Sequence, residues 1–387
     1  MREREREITY AYEDSHNITA HFILDFFFAF FMLQTNLIRQ ITKRHVNPTR
    51  IFATYSLLQQ RHHNQRVTKF KVIEPPSMAK LPVLYKELIK FKLAGLVALT
   101  AMTGYALAPG ESTVTTLLAT TVGTGLCIGS ANAINQWIEV PYDAQMLRTR
   151  NRVLGRRALS QVHAFGFGLL TGVTGVTMLA TCVNPITAIL GASNIALYTL
   201  VYTPMKRSSI ANTWAGAVVG AIPPMMGYTA VTNNLLDPAA WVLGGLLYCW
   251  QFPHFNALAW NLRQDYSKAG YRMMAVTDPK LNARVSLRYS LAMFPLCFAV
   301  PYLDLTSYWF ALDSSVVNGA LLYGAYKFWR KSNDKSAKQL FFGSIVHLPV
   351  LLALLMIHKK WNLSSHHRTK EEEEIEEIIE WVIEDDY

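Results

Sequence analysis

From Leu93 onward, apolar residues come in long blocks with little between them. The blocks lie at 93–108, 113–134, 162–181, 186–203, 212–232, 239–260, 287–304, 307–328 and 340–357. A helix of roughly 20 apolar residues crosses about 30 Å of hydrocarbon, so the pattern predicts about nine transmembrane helices. Gly and Pro occur freely inside the blocks, as in GAVVGAIPPMMG at 216–227. Such residues damage a helix in water. In a membrane, neighbouring helices satisfy the freed backbone groups, and small side chains let helices approach closely. The fold class read from the pattern is all-α and polytopic.

Composition agrees: 51% of the 387 residues are hydrophobic, more than one soluble core requires. The four cysteines, Cys127, Cys182, Cys249 and Cys297, each stand alone in or at the edge of an apolar block. None has the CxxC spacing or the nearby histidine pair of a metal site, so they read as small side chains among the helices.

Charge orients the spans. The second, fourth, sixth and eighth joints carry sixteen Lys and Arg residues, among them Arg148, Arg152, Lys206 and Arg207, and the odd joints carry none. Lys and Arg stay on the side from which a membrane protein inserts, so every even joint faces one basic compartment, together with Lys86, Lys90 and Lys92. Lys359 and Lys360, after the last span, break the pattern. The formal charge of +10 understates the asymmetry, because the stretch 371–386 holds ten acids and no base; without it 37 bases face 17 acids, or +20. Basic charge strung along a membrane face suits anionic lipid or an anionic substrate such as a diphosphate. It does not point to nucleic acid.

The ends differ from the middle. Residues 26–73 contain no acid and eight Lys or Arg, the composition of a transit peptide. Residues 32–75 therefore read as a presequence-like basic segment, and residues 1–31 as an upstream extension consistent with a misassigned start. The segment 85–357 is the membrane domain. Residues 358–387 form a low-complexity acidic tail.

Candidate chemistry lies where the second block ends, in NQWIEVPYDAQMLRTRNRVL at 135–154. Asn135, Glu139 and Asp143 are four apart, about 400° on a regular helix, so they share a face with about 40° of drift per step. Pro141 is expected to kink the helix there. Two carboxylates and a carboxamide at the membrane edge suit Mg²⁺, which takes oxygen ligands and shares them with phosphate-bearing substrates. Arg148 and Arg152, just beyond, suit phosphate oxygens. A single acid here would read as an ordinary solvated helix end; the aligned set beside a basic cluster favours the site.

The pattern NxxxExxxDxxMxRTxxR resembles the first acidic motif of the intramembrane prenyltransferases related to the 4-hydroxybenzoate polyprenyltransferases. Within that superfamily it is most similar to the mitochondrial protohaem IX farnesyltransferase family. Three further blocks carry the resemblance: YTPMKRSSIANTWAGAVVGAIPPMMGY at 202–228, WQFPHFNALAW at 250–260 and RQDYSKAGYRMM at 263–274. It spans about 85–357 and implies nine helices around a central cavity open to the mitochondrial matrix and to lipid, in the inner membrane. It implies farnesyl diphosphate and haem B as substrates, haem O as product, Mg²⁺ as cofactor, and a haem A synthase as the partner that takes the product. For residues, it implies Asn135, Glu139 and Asp143 on metal and diphosphate, Asp265 at a second metal, and Arg148, Arg152, Lys206 and Arg207 on diphosphate oxygens. His254 becomes a haem ligand or a base for a water step; His347, an intramembrane histidine, becomes a second haem candidate.

The sequence departs from the superfamily twice. Glu139 stands where many members of the superfamily carry Asp. The second motif, commonly DxxxD, reads Asn261, Leu262, Arg263, Gln264, Asp265, with only the last position acidic, which favours one metal or two held largely by diphosphate and water. Among the aromatics at span ends, Trp137, Tyr142, Trp260 and Trp329 read as an interfacial belt, whereas Tyr202 and Trp250 fall in the shared blocks and can line a cavity. Two other classes stay open: a transporter, which would place charge near the midplane, and a non-catalytic assembly factor of respiratory complexes. A sister enzyme prenylating an aromatic acid is the nearest catalytic rival.

Overall fold

The computed structural model describes residues 77–360. The presequence-like segment, the upstream extension and the acidic stretch from residue 361 onward lie outside the described residues. The regular structure of the described residues is helical, with one isolated bridge between Thr306 and Lys359.

A short helix α1 (Leu81–Leu88) leads into α2 (Phe91–Leu107). The two are bent by 54° at a break where Lys90 adopts a left-handed conformation, φ 53°. There follow α3 (Val114–Asp143), α4 (Gln161–Cys182), α5 (Pro185–Ser208), α6 (Asn212–Thr232) and α7 (Pro238–Asn261). Two short helices, α8 (Arg263–Lys268) and α9 (Met274–Thr277), fill the next joint before α10 (Pro279–Tyr302), α11 (Trp309–Lys331) and α12 (Asp334–Ile357). Each long helix packs on the next, and α12 returns to α2, which closes a ring.

All nine apolar blocks fall in long helices. Five of these, α3, α4, α5, α10 and α12, are long and apolar enough to cross a membrane, and the bent α1–α2 pair makes a sixth. The remaining three do not reach that level of apolarity. In α6 the glycines and the Pro223–Pro224 pair lower it, in α7 Trp241, Gln251, His254 and Asn256, and in α11 Asp313, Ser314 and Asn318. Helices also overrun their apolar blocks on the basic side. Asp278 caps α10 by accepting from the Leu281 amide at 2.9 Å, and Asn333 opens α12 with a capping box to Ser336. Such caps satisfy the orphan amides of a first turn, so the helix starts where the cap stands and not where the apolar block does.

The apolar core occupies the half of the ring nearest the odd joints, where Leu99, Met102, Tyr105, Tyr228, Leu246, Met293 and Leu351 interlock. Close contact of α2 with α6 needs glycine. A Cβ on Gly227 would collide with the Ala101 carbonyl, and one on Gly104 with the Pro224 carbonyl. Outward-facing side chains such as Leu169, Leu170, Val173, Ile189 and Leu200 are exposed and apolar, as a hydrocarbon solvent requires. Toward the even joints, smaller apolar clusters around Phe328, Leu154 and Met146 surround a hollow.

Candidate active site

The hollow is a cavity of about 410 Å³, walled by α2, α3, α5, α6 and α7 and by the joints around residues 146–152 and 266–273. Its deeper wall is mixed, with Val97, Ile128, Val219 and Pro223 beside Asn132, Asn194 and Gln251. Its charged groups gather at the end toward the even joints.

Helix α3 runs unbroken to Asp143 with Pro141 inside it. The expected kink does not dislodge the acids, because Pro141 sits in the last turn, where little helix remains to be redirected. Asn135, Glu139 and Asp143 all line the cavity, and they are 0%, 4% and 2% exposed. Asn135 donates to Thr203 Oγ1 at 3.0 Å and accepts from Lys90 Nζ at 3.1 Å. Glu139 pairs with Lys206 Nζ at 2.6 Å and lies 3.7 Å from Arg152. Asp143 takes Arg152 Nη1 on Oδ2 at 2.6 Å, while its Oδ1 is buried without a partner.

The cations arrive by specific folding of the joints. Thr149 Oγ1 donates to the Asp143 carbonyl at 3.0 Å, turning the chain back so that Arg152 faces the acids. Burial opposes the Arg152 charge, but the Asp143 and Glu139 carboxylates together outweigh it and raise the guanidinium pKa. Lys206 stands on α5, which passes through a π-helical turn at Leu197–Tyr202 just before Pro204. Proline has no amide to continue the α ladder, and wide turns of this kind recur at functional sites. Here Tyr198, Tyr202 and Lys206 all line the cavity, with the Lys206 ammonium 4.4 Å from the centre of the Tyr202 ring. Gly216 leaves room for that ring, since a Cβ there would come within 2.7 Å of it.

His254, on α7, also lines the cavity. Its ring stacks between Trp250 at 4.6 Å and Phe341 at 5.1 Å, and Nδ1 meets Ser344 Oγ at 2.9 Å. Ser344 spends its one hydroxyl proton on the Phe341 carbonyl at 2.7 Å, so the contact is made by His254 Nδ1–H donating. The lone pair is then on Nε2, which bonds no described residue.

Other expected site residues lie elsewhere. Arg148 is exposed on the cavity rim. Arg207 lies outside the wall, stacked 4.6 Å over Tyr142 and donating to its hydroxyl at 2.7 Å. Asp265, half-buried on α8, makes no ion pair or side-chain hydrogen bond with a described residue; its neighbour Tyr266 lines the cavity instead. His347 is buried in the helix packing, with Nε2 on Asn318 Oδ1 at 2.9 Å and Nδ1 unpartnered, away from the cavity wall.

Two wall residues escape a sequence reading. Lys90 looks like one of several flanking bases, and only the bend after α1 brings it to Asn135. Tyr271, 4% exposed, follows Gly270, whose φ of 71° makes the turn; burial raises its phenol pKa, with Glu139 adding to the effect. Its place in the shared block 263–274 was the available signal.

A divalent cation fits this donor set in part. The described residues hold no group of three or more His, Cys, Asp or Glu side chains poised around a metal. Glu139, Asp143 and Asn135 nevertheless supply oxygen donors on one wall, and the unpartnered Asp143 Oδ1 is a vacant buried acceptor. Remaining ligands would come from diphosphate and water, as Mg²⁺ commonly requires.

The chain is similar to several known proteins. A protoheme IX farnesyltransferase, mitochondrial, of Yarrowia lipolytica is 53% identical over 290 residues, covering 71% of this chain and 62% of that protein. The protein of the same name from Homo sapiens is 50% identical over 280 residues, covering 72% of this chain and 63% of its own. The chain thus spans somewhat under two thirds of these relatives. Among solved structures, one of a digeranylgeranylglyceryl phosphate synthase in membranes matches with a TM-score of 0.63 at 14% identity, over 73% of this chain and 99% of that one. A UbiA homologue from Archaeoglobus fulgidus, bound to GPP and Mg²⁺, matches with a TM-score of 0.51 at 12% identity, over 70% and 99%. Both show the same fold. Residues 97–346 match the UbiA prenyltransferase family, and the chain belongs to that family.

Proposed function

We propose that this chain transfers the farnesyl group of farnesyl diphosphate to a vinyl group of protohaem IX, giving haem O and diphosphate. The observation that carries the reading is the buried carboxylate pair, Glu139 and Asp143, interleaved with Lys206 and Arg152 at the charged end of a cavity otherwise suited to a prenyl chain. The names of the relatives at 50–53% identity support the acceptor.

Asn135, Glu139 and Asp143 would hold Mg²⁺, an ion that the Archaeoglobus homologue binds together with GPP, and bound there it would stabilise negative charge developing on the leaving group. Lys206, Arg152 and the exposed Arg148 would then serve the diphosphate oxygens. The allylic carbon–oxygen bond breaks with its electron pair leaving on diphosphate. The vinyl π pair forms the new carbon–carbon bond, water adds to the resulting cation, and the water gives up a proton. His254 Nε2, without a partner among the described residues at the cavity wall, would hold haem iron or take that proton. Tyr202 offers a ring face to a nearby cation. Asp265 and His347 have no direct part in this reading; Arg207 supports the rim through Tyr142.

The setting follows from the same reading: a mitochondrial inner-membrane enzyme with its basic, charged end toward the matrix, residues 32–75 as presequence, and a haem A synthase consuming the product. The test is mass spectrometry of haem extracted from membranes that express this chain and are supplied with haem B, farnesyl diphosphate and Mg²⁺, beside Asp143→Asn. Haem O is expected from the wild type and reduced at least 100-fold in the variant. Prenylated 4-hydroxybenzoate without haem O would identify the sister enzyme. Full support of respiratory-complex assembly by Asp143→Asn would identify a non-catalytic role.

A further inference from the structure

Tyr271 carries a hydroxyl that the fold itself does not use. Its side chain is more than nine-tenths buried, it lines the cavity, and its oxygen has no hydrogen-bond partner. The residue is not loosely placed. Its amide donates to the Tyr266 carbonyl at 2.9 Å, the next amide, Arg272, donates to the Lys206 carbonyl at 2.7 Å, and Asn212 Nδ2 donates to the Arg272 carbonyl at 3.1 Å. The backbone on which Tyr271 stands is therefore tied to the end of α5 that carries Lys206. The ring packs between Tyr142 at 5.9 Å and Tyr266 at 6.0 Å and against Met146.

A phenylalanine would fill the same space without burying an unpaired polar atom, which costs stability. What the hydroxyl lacks in the protein it can find in a ligand. Glu139, Asp143, Arg152 and Lys206 line the same cavity and their charges act on the phenol; they are the group that frames its charged end. A phenol beside carboxylates whose charges are met by Lys206 and Arg152 is useful as a donor to an incoming anion, and hydrogen bonds to charged acceptors are the strong ones.

We propose that the Tyr271 hydroxyl is a further substrate-binding group that donates to an oxygen of the diphosphate. The assignment rests on the prenyl-diphosphate reading of the cavity and is independent of which acceptor is prenylated.

The experiment compares thermal unfolding of the full-length wild type and Tyr271→Phe in detergent, each alone, with Mg²⁺, and with Mg²⁺ plus inorganic diphosphate. Without ligand the variant is expected to unfold at the same temperature as wild type or higher, because it sheds an unpaired polar atom. Mg²⁺ alone should shift both equally. Diphosphate should bind the variant about tenfold or more weakly, the effect of one hydrogen bond to a charged group. Equal diphosphate affinity would overturn the assignment. So would a lower unliganded transition, which would make the hydroxyl structural, or a difference seen with Mg²⁺ alone, which would place it on a metal-bound water. A wild type that does not respond to diphosphate at all would remove the prenyl-diphosphate reading and this assignment with it.

Discussion

At the scale of single residues, stability and chemistry compete for the same charges. Glu139 and Lys206 are nearly buried, with side chains 5% and 13% exposed, and are held 2.6 Å apart. Breaking such a pair from one side strands a buried charge, at a cost of about 3–5 kcal/mol, whereas replacing both partners by neutral groups is often close to neutral. Lys206→Met should therefore destabilise the protein by about that amount, with Arg152 at 3.7 Å a poor substitute. The double variant Glu139→Gln with Lys206→Met should regain most of the lost stability and still make no product. Denaturant unfolding in detergent together with product formation checks this; a double variant as unstable as the single one would show that the pair is not the unit. The four-residue spacing of Asn135, Glu139 and Asp143 was legible because helix geometry maps it onto one face. Lys90 and Tyr271 were not, because each reaches the cavity through a turn of the backbone, at a left-handed lysine and after a left-handed glycine, that side-chain periodicity does not encode. Asp265 shows the converse: a motif position recognisable by spacing, carried on a two-turn helix that leaves it off the cavity wall.

At the scale of elements, helix existence was legible and helix ends were not. Apolar blocks report where a helix meets lipid, but α3, α10 and α12 continue past the blocks into segments whose polar residues line the site or cap the turn. Which helices touch is written in small residues. Gly227 faces the Ala101 carbonyl and the Tyr105 amide across the α2–α6 contact, while Gly95, on the same α2, has nothing within 4 Å of its Cβ position. Backbone cannot yield as a side chain can, so Gly227→Ala should cost at least about 1–3 kcal/mol, the usual price of overpacking. Gly95→Ala should be neutral or stabilise by up to about 1 kcal/mol through helix propensity. Unfolding of the two variants side by side is the measurement; equal effects would mean that the contact between α2 and α6 relaxes freely.

At the scale of the whole molecule, charge sets which end of the ring faces which compartment, and the two exceptions are accounted for by their surroundings. Lys360 is held 2.7 Å from Asp304, and Lys359, bridged to Thr306, has its pKa pushed down to about 8 by burial. Both lie beside the joint between α10 and α11, so the bases that oppose the pattern are one neutralised and one weakened, and the even joints keep the decisive excess. The cysteines provide a direct test of the resulting orientation. Cys182, at the odd-side end of α4, is exposed, whereas Cys127, Cys249 and Cys297 are buried. In mitoplasts, whose inner membrane presents its outer face to the medium, a membrane-impermeant maleimide should label Cys182 in the native protein. Arg150 lies exposed on the even joint after α3; in a Cys182→Ser background, Arg150→Cys should stay unlabelled until the membrane is permeabilised. The opposite result would turn the charged end of the cavity away from the matrix, and the prenyl diphosphate of the proposed reaction would then have to be supplied from the intermembrane side.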